Sequence, residues 1–187
     1  MPIRIQEPWL GFLSDVDQAL KVPVEVHCLG GFVLSILCGL PRPTGDIDFI
    51  DVRPAKANDE LLKIAGEDTG LARRYKLRFH RVTIAEYPEN YESRLIDITP
   101  KKFQRLRHRA LEINDVVLTK IARNSPRDRA DVQFLAKQGV LDRKLLMERF
   151  ENELRPHLLD EERGVRTLGL WLEEYLGTGL TGDSPNR

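Results

Sequence analysis

The chain is poor in cysteine, has no long apolar run and carries no net charge. Cys28 and Cys38 are the only two cysteines in 187 residues. With no Cys-x-x-Cys they make neither a disulfide framework nor a zinc site. Each lies among leucine, isoleucine and glycine, as buried free thiols do. No apolar stretch approaches the roughly 20 residues a membrane span needs, and the N-terminus lacks the basic-then-apolar pattern of a signal peptide. Membrane spans and secreted disulfide scaffolds are therefore outside the expected classes, and the cytoplasm is the expected compartment. There is no internal repeat and no low-complexity block. The four histidines, His27, His80, His108 and His157, show no metal-ligand spacing.

The 29 basic and 29 acidic residues cancel, but unevenly along the chain. Lys101 to Asp131 holds nine basic and four acidic residues, whereas Phe150 to Arg187 holds four basic and eight acidic. Such asymmetry can orient an anionic ligand toward one part of a surface. Solvated helix faces are the plainer explanation of any single stretch.

What is present centres on the stretch from Gly30-Gly31 to Asp46-Ile47-Asp48. An apolar run, Val24 to Leu29, leads into the glycines; an apolar segment to Cys38 and a turn rich in proline and glycine follow. The pattern reads as strand, glycine turn, buried helix, turn and second strand. Residues two apart on a strand face one way, so Asp46 and Asp48 project side by side. Adjacent carboxylates repel unless a cation lies between them, and an oxygen-preferring divalent metal meets that need. The free amides of a helix that begins at a double glycine favour an anion. Gly30-Gly31 is thus suited to a triphosphate beside an Asp46/Asp48 metal. A double glycine alone, or Asp-x-Asp alone, is common in turns; their spacing here is the informative feature.

The rest of the chain reads as an α/β front and a helical back. Trp9, Leu13, Val16 and Leu20 have helical spacing, and Pro54–Gly66 reads as another helix. Arg73–Val82 alternates as a half-buried strand with a basic outer row, suited to an edge strand or to phosphate contact. Arg94–Ile98 is a short strand in which Asp97 sits among Leu95, Ile96 and Ile98. A carboxylate there needs a partner, a metal or solvent. From Glu112 the pattern is helical; Ser125 caps a helix with Pro126 at its first position, and two more helices cover Asp142–Leu154 and Glu161–Leu176. The expected division is an α/β core over 1–110, a helical region over 111–177 and a disordered tail over 178–187.

Leu29-Gly30-Gly31 with Arg42-Pro43-Thr44-Gly45-Asp46-Ile47-Asp48 resembles the signature of the DNA polymerase β-like nucleotidyltransferase superfamily. The resemblance continues through Tyr91–Leu95, Asp115–Asn124 and Arg127–Val132 to Glu153–Pro156. It is also similar to small bacterial nucleotidyltransferase-like proteins related to abortive-infection and toxin–antitoxin nucleotidyltransferases. It implies an α/β (α+β) fold, a small mixed sheet flanked by helices and followed by a helical bundle. It implies Mg²⁺ (or Mn²⁺) held by Asp46 and Asp48, with Asp97 as the third carboxylate on a neighbouring strand. Gly30 and Gly31 would cradle the phosphates, although Gly31 stands where many members carry a serine. Lys120 would contact the nucleotide phosphates with Asp128 and Asp131 close by. Arg42 and Thr44 are further phosphate candidates, Thr44 equally a shaper of its turn. Lys120 on its own reads as a snorkelling lysine, and Asp128 and Asp131 as its ion-pair partners or those of Arg127.

The expected function is transfer of a nucleoside monophosphate from an NTP to a hydroxyl of RNA, protein or a small molecule. Arg73–Arg81 and Lys101–Arg109 are the expected landing surfaces for RNA. The rival expectation is a non-catalytic nucleotide- or partner-binding module on the same fold. A toxin–antitoxin partner is compatible with either.

Overall fold

A computed structural model describes residues 4–177; the expected tail over 178–187 lies outside the described residues. The chain divides into two compact units. One is the chain up to Ala85 together with Asn90–Glu112; the other is Glu86–Glu89 together with the chain from Ile113.

The first unit is a mixed sheet with helices. Its elements are α1 (Trp9–Ala19), β1 (Val24–Cys28), α2 (Gly30–Cys38), β2 (Asp46–Arg53), α3 (Asn58–Ala65), α4 (Gly70–Tyr75), β3 (Arg78–Arg81), β4 (Ile96–Asp97) and β5 (Leu106–Ala110). The sheet runs β3-β2-β1-β5-β4. β1 is antiparallel to β2 and parallel to β5; β2 and β3 are parallel, and β4 and β5 antiparallel. The two-residue strand period splits side chains between two faces. Ile47, Phe49, Phe79, Val24, Val26, Leu106 and Ala110 are buried, with Phe12 of α1 packed against Phe79. Asp46, Asp48, Arg78, His80, Glu25, Arg107 and Arg109 occupy the alternate positions and form a polar face. Pairing slips by one residue between His27 and Cys28. This bulge keeps Asp51, opposite His27, on the polar face with Asp48. Asp17 ties α1 to β5: its buried carboxylate accepts the backbone N–H groups of Gln104, Arg105 and Leu106 at 2.7–3.1 Å.

Three local readings change. Arg73–Tyr75 closes α4, because the Thr69 hydroxyl caps that helix by accepting the Ala72 N–H; only Arg78–Arg81 is strand, and it is an edge strand. Leu106–Ala110, to which the sequence pattern gave no element, is an interior strand. Phe150–Leu154 winds as a π-helical turn rather than continuing α7 (Arg143–Arg149). The second unit is otherwise helical, with α5 (Ile113–Leu118), α6 (Pro126–Lys137) and α8 (Glu161–Leu176). Ser125 and Asp128 form a reciprocal capping box at the start of α6. Among the described residues no helix is long and apolar enough to cross a membrane.

His108 is the exception in the sheet's apolar face. It is fully buried, stacked on Phe79 at 6.1 Å and flanked by Phe32 and Phe103. Neither ring nitrogen finds a hydrogen-bond partner among the described residues. Burial pushes its pKa down to about 4, outweighing the charges of Asp17 and Asp97. The unfolded chain, near 6.5, then binds more protons than the folded one between about pH 4 and 6.5. Stability from this group is complete above that window and is lost as the pH falls through it. His108→Phe should remove the penalty. Between pH 7 and pH 4 the variant should lose about 3 kcal/mol less unfolding free energy than the parent. Denaturant unfolding at the two pH values reads this directly.

Candidate active site

The strongest constellation lies where β1 runs into α2. Leu29, the residue between them, donates its N–H to the Asp48 carbonyl at 3.0 Å, pinning the turn to β2. Gly30 follows with φ +74°, and a Cβ there would come within 2.7 Å of Asp48 Oδ2. Only glycine allows both that backbone and that approach. At Gly31 a Cβ would lie 3.1 and 3.2 Å from the terminal nitrogens of Arg42 and 3.4 Å from the Thr44 Cβ. The glycine turn, the Arg42 guanidinium, Thr44 and the Asp48 carboxylate therefore converge. Thr44 Oγ1 donates to the Asp46 carbonyl at 3.3 Å, so this residue also shapes the turn into β2.

Asp46 and Asp48 share one face of β2, as their spacing requires, and each meets a residue of β3. Parallel register sets Asp46 opposite Arg78 and Asp48 opposite His80. Arg78 Nε donates to Asp46 Oδ1 at 2.7 Å, and its other arm reaches Glu67. His80 Nδ1 and Asp48 Oδ1 are hydrogen-bonded at 2.9 Å. The Asp46 and Asp48 side chains are 39% and 28% exposed, so solvent and ligands reach both. Arg78 and His80 escaped the reading of the sequence as site residues. The alternation that placed them on one face was visible; their register against the aspartates was not.

Asp97 does not join this pair. β4 is the far edge of the sheet, with β1 and β5 between it and β2. Three strand spacings put it about 14 Å away. Its carboxylate accepts the Thr99 N–H at 2.9 Å and lies 3.6 Å from Arg109. Burial would raise its pKa, but the Thr99 hydrogen bonds and the charges of Arg109 and Arg107 hold it below the ordinary value. The expectation that Asp97 supplies a third carboxylate is thus corrected by strand order. Among the described residues no group of three His, Cys, Asp or Glu side chains is placed to hold a metal.

The donor set still suits Mg²⁺. That ion keeps several waters and is commonly held by one or two carboxylates plus substrate phosphates. Two accessible carboxylates beside an anion-favouring turn meet this requirement.

In the second unit Lys120, Asp128 and Asp131 do come together, but as a buried ion cluster. Lys120 is 3% exposed, and its Nζ donates to Asp128 Oδ1 at 3.1 Å and Asp131 Oδ2 at 2.9 Å. Arg123 clamps Asp128 through two bonds of 2.7 and 2.6 Å, and the Ser125 hydroxyl adds a third at 2.7 Å. Burial alone would raise the Asp128 pKa; the Arg123 and Ser125 hydrogen bonds and the charges of Lys120 and Arg123 hold it well below the usual carboxylate range. The expected phosphate contact of Lys120 is corrected accordingly. Its ammonium is committed to two carboxylates at the start of α6, and those carboxylates are committed to it.

A family model described as "Nucleotidyltransferase of unknown function (DUF6036)" matches residues 13–177. A crystal structure of a candidate nucleotidyltransferase from H. pylori is 15% identical, covering 89% of this chain and 94% of that one, with a TM-score of 0.32. The structure of JHP933 from Helicobacter pylori is 14% identical, covering 90% and 92%, also with a TM-score of 0.32. No curated protein matches the chain.

Proposed function

The chain belongs to this nucleotidyltransferase family, and from that premise we propose that it transfers a nucleoside monophosphate from an NTP to a hydroxyl acceptor, releasing pyrophosphate. The observation that carries the reading is the approach of the Asp48 carboxylate to Gly30, so close that a Cβ would lie 2.7 Å from Oδ2. It joins the metal-type acids and the phosphate-type turn in one place.

In this reading the backbone at Gly30 and Gly31 faces the triphosphate, and Arg42 adds a planar cation that can grip phosphate oxygens in pairs. Thr44 fixes the turn that delivers Asp46. Asp46 and Asp48 hold Mg²⁺, which when bound neutralises phosphate charge. Nucleotidyl transfer needs positioning and charge neutralisation more than covalent participation, and these residues supply both. The acceptor is a hydroxyl of RNA, protein or a small molecule, and the basic edge around Arg73–Arg81 suits an anionic acceptor. A toxin–antitoxin or phage-defence role in the cytoplasm is the physiological setting we assign.

One observation favours a second reading. With Asp97 on the far edge, no third carboxylate among the described residues joins the pair to help activate the attacking hydroxyl. A site so built can bind Mg²⁺ and nucleotide without turning over.

The test is incubation of the protein with each α-labelled NTP, Mg²⁺ and cell extract, with Asp46→Asn in parallel. Label moving into RNA, protein or a small product, and lost in the variant, supports transfer. Mg²⁺-dependent nucleotide binding without label transfer supports the second reading. Neither binding nor transfer, with Asp46→Asn indistinguishable from the parent, overturns both.

A further inference from the structure

Arg78 engages one oxygen of a carboxylate that the proposed metal site would use. Its Nε is bonded to Asp46 Oδ1 at 2.7 Å, and a terminal nitrogen of the same guanidinium is bonded to Glu67. It is therefore held from both sides rather than trailing in solvent. The register of β3 against β2 fixes the arginine directly opposite Asp46. A small cavity of about 260 Å³ opens beside the pair, with Asp46, Arg78 and Glu67 all in its lining. The contact is thus reachable from outside.

We propose that Arg78 is a competitor for the metal: the Asp46–Arg78–Glu67 bridge holds Asp46 in a cation-paired state, and Mg²⁺ binding requires the guanidinium to let go. This rests on the nucleotidyltransferase reading of Asp46 and Asp48. The physical argument is one of charge. A carboxylate oxygen already accepting a charge-assisted hydrogen bond is a poorer ligand to a dication, and a guanidinium beside the site repels that dication. A triphosphate changes the balance, because it brings oxygen ligands for the metal and an anionic partner for the freed arginine. The bridge therefore disfavours metal binding before nucleotide arrives.

The experiment is Mn²⁺ titration of the full chain without nucleotide, followed by the electron paramagnetic resonance signal of free Mn²⁺. Arg78→Ala should bind Mn²⁺ about fivefold more tightly than the parent, equivalent to about 1 kcal/mol, in keeping with a partly exposed ion pair. Arg78→Lys, which keeps the charge but loses the fork, should fall between the two and serves if the alanine variant does not fold. Asp46→Asn should weaken Mn²⁺ binding in every background. Unchanged or weaker Mn²⁺ binding in both Arg78 variants, with Asp46→Asn still damaging, would overturn the competition and leave the metal site intact. Mn²⁺ binding insensitive to Asp46→Asn would instead remove the reading on which it rests.

Discussion

Asp48→Ala is expected to lower nucleotidyl transfer by about a thousandfold or more while leaving the fold in place. The loss follows from removing one of the two carboxylates that would hold a dication balancing triphosphate charge. The fold should tolerate it for an equally direct reason. The side chain is partly exposed, and its hydrogen-bond partner His80 is 54% exposed, so no buried group is stranded. The Leu29 N–H bonds the Asp48 carbonyl rather than its side chain, so the turn stays pinned. Single-turnover transfer of labelled NTP and a thermal melt, run on the same preparation, separate the two effects. Transfer at parental rate by a folded Asp48→Ala protein would remove this residue from the chemistry.

Lys120→Met should do the reverse, costing stability rather than acting at a phosphate. Breaking a buried ion pair from one side costs about 3–5 kcal/mol, because the remaining charge keeps its desolvation penalty without its partner. Here two buried carboxylates, Asp128 and Asp131, would lose the cation that bridges them. Arg123 would still hold Asp128, but from the surface, where it is 68% exposed. Denaturant unfolding reads the cost. A phosphate-binding lysine would behave otherwise: the methionine variant would melt with the parent and bind NTP more weakly.

Different parts of the fold were legible to different degrees, for physical reasons. The Asp46/Asp48 row was readable because strand period is a local property, set by the backbone of a few residues. The start of α6 was readable because a capping serine followed by proline is a local signal, and the structure adds Asp128 to the same cap. β5 was hidden because Arg107, His108 and Arg109 form a polar run. Its inward row, Leu106, His108 and Ala110, contains a histidine where apolar residues are the rule. That omission misplaced Asp97. Its neighbours suit a metal-site strand, but β5 stands between β4 and β1, and strand order is a property of the whole sheet. Lys120 was read in part. Its ion pairing with Asp128 and Asp131 was legible from the residues and is present; the phosphate contact implied by the resemblance is what fails, because burial commits the ammonium to those two carboxylates.

The place of β1 in the middle of the sheet has a consequence for ligand capture. The strand is paired on both sides, to β2 and to β5, and the bonds continue past its end. The Leu29 N–H goes to Asp48, and the Leu111 N–H comes back to Cys28. The glycine turn that follows therefore leaves from backbone bonded on both sides. In the proposed site, an anion at Gly30-Gly31 would meet backbone whose position is already set, and little ordering entropy would be surrendered when it docks.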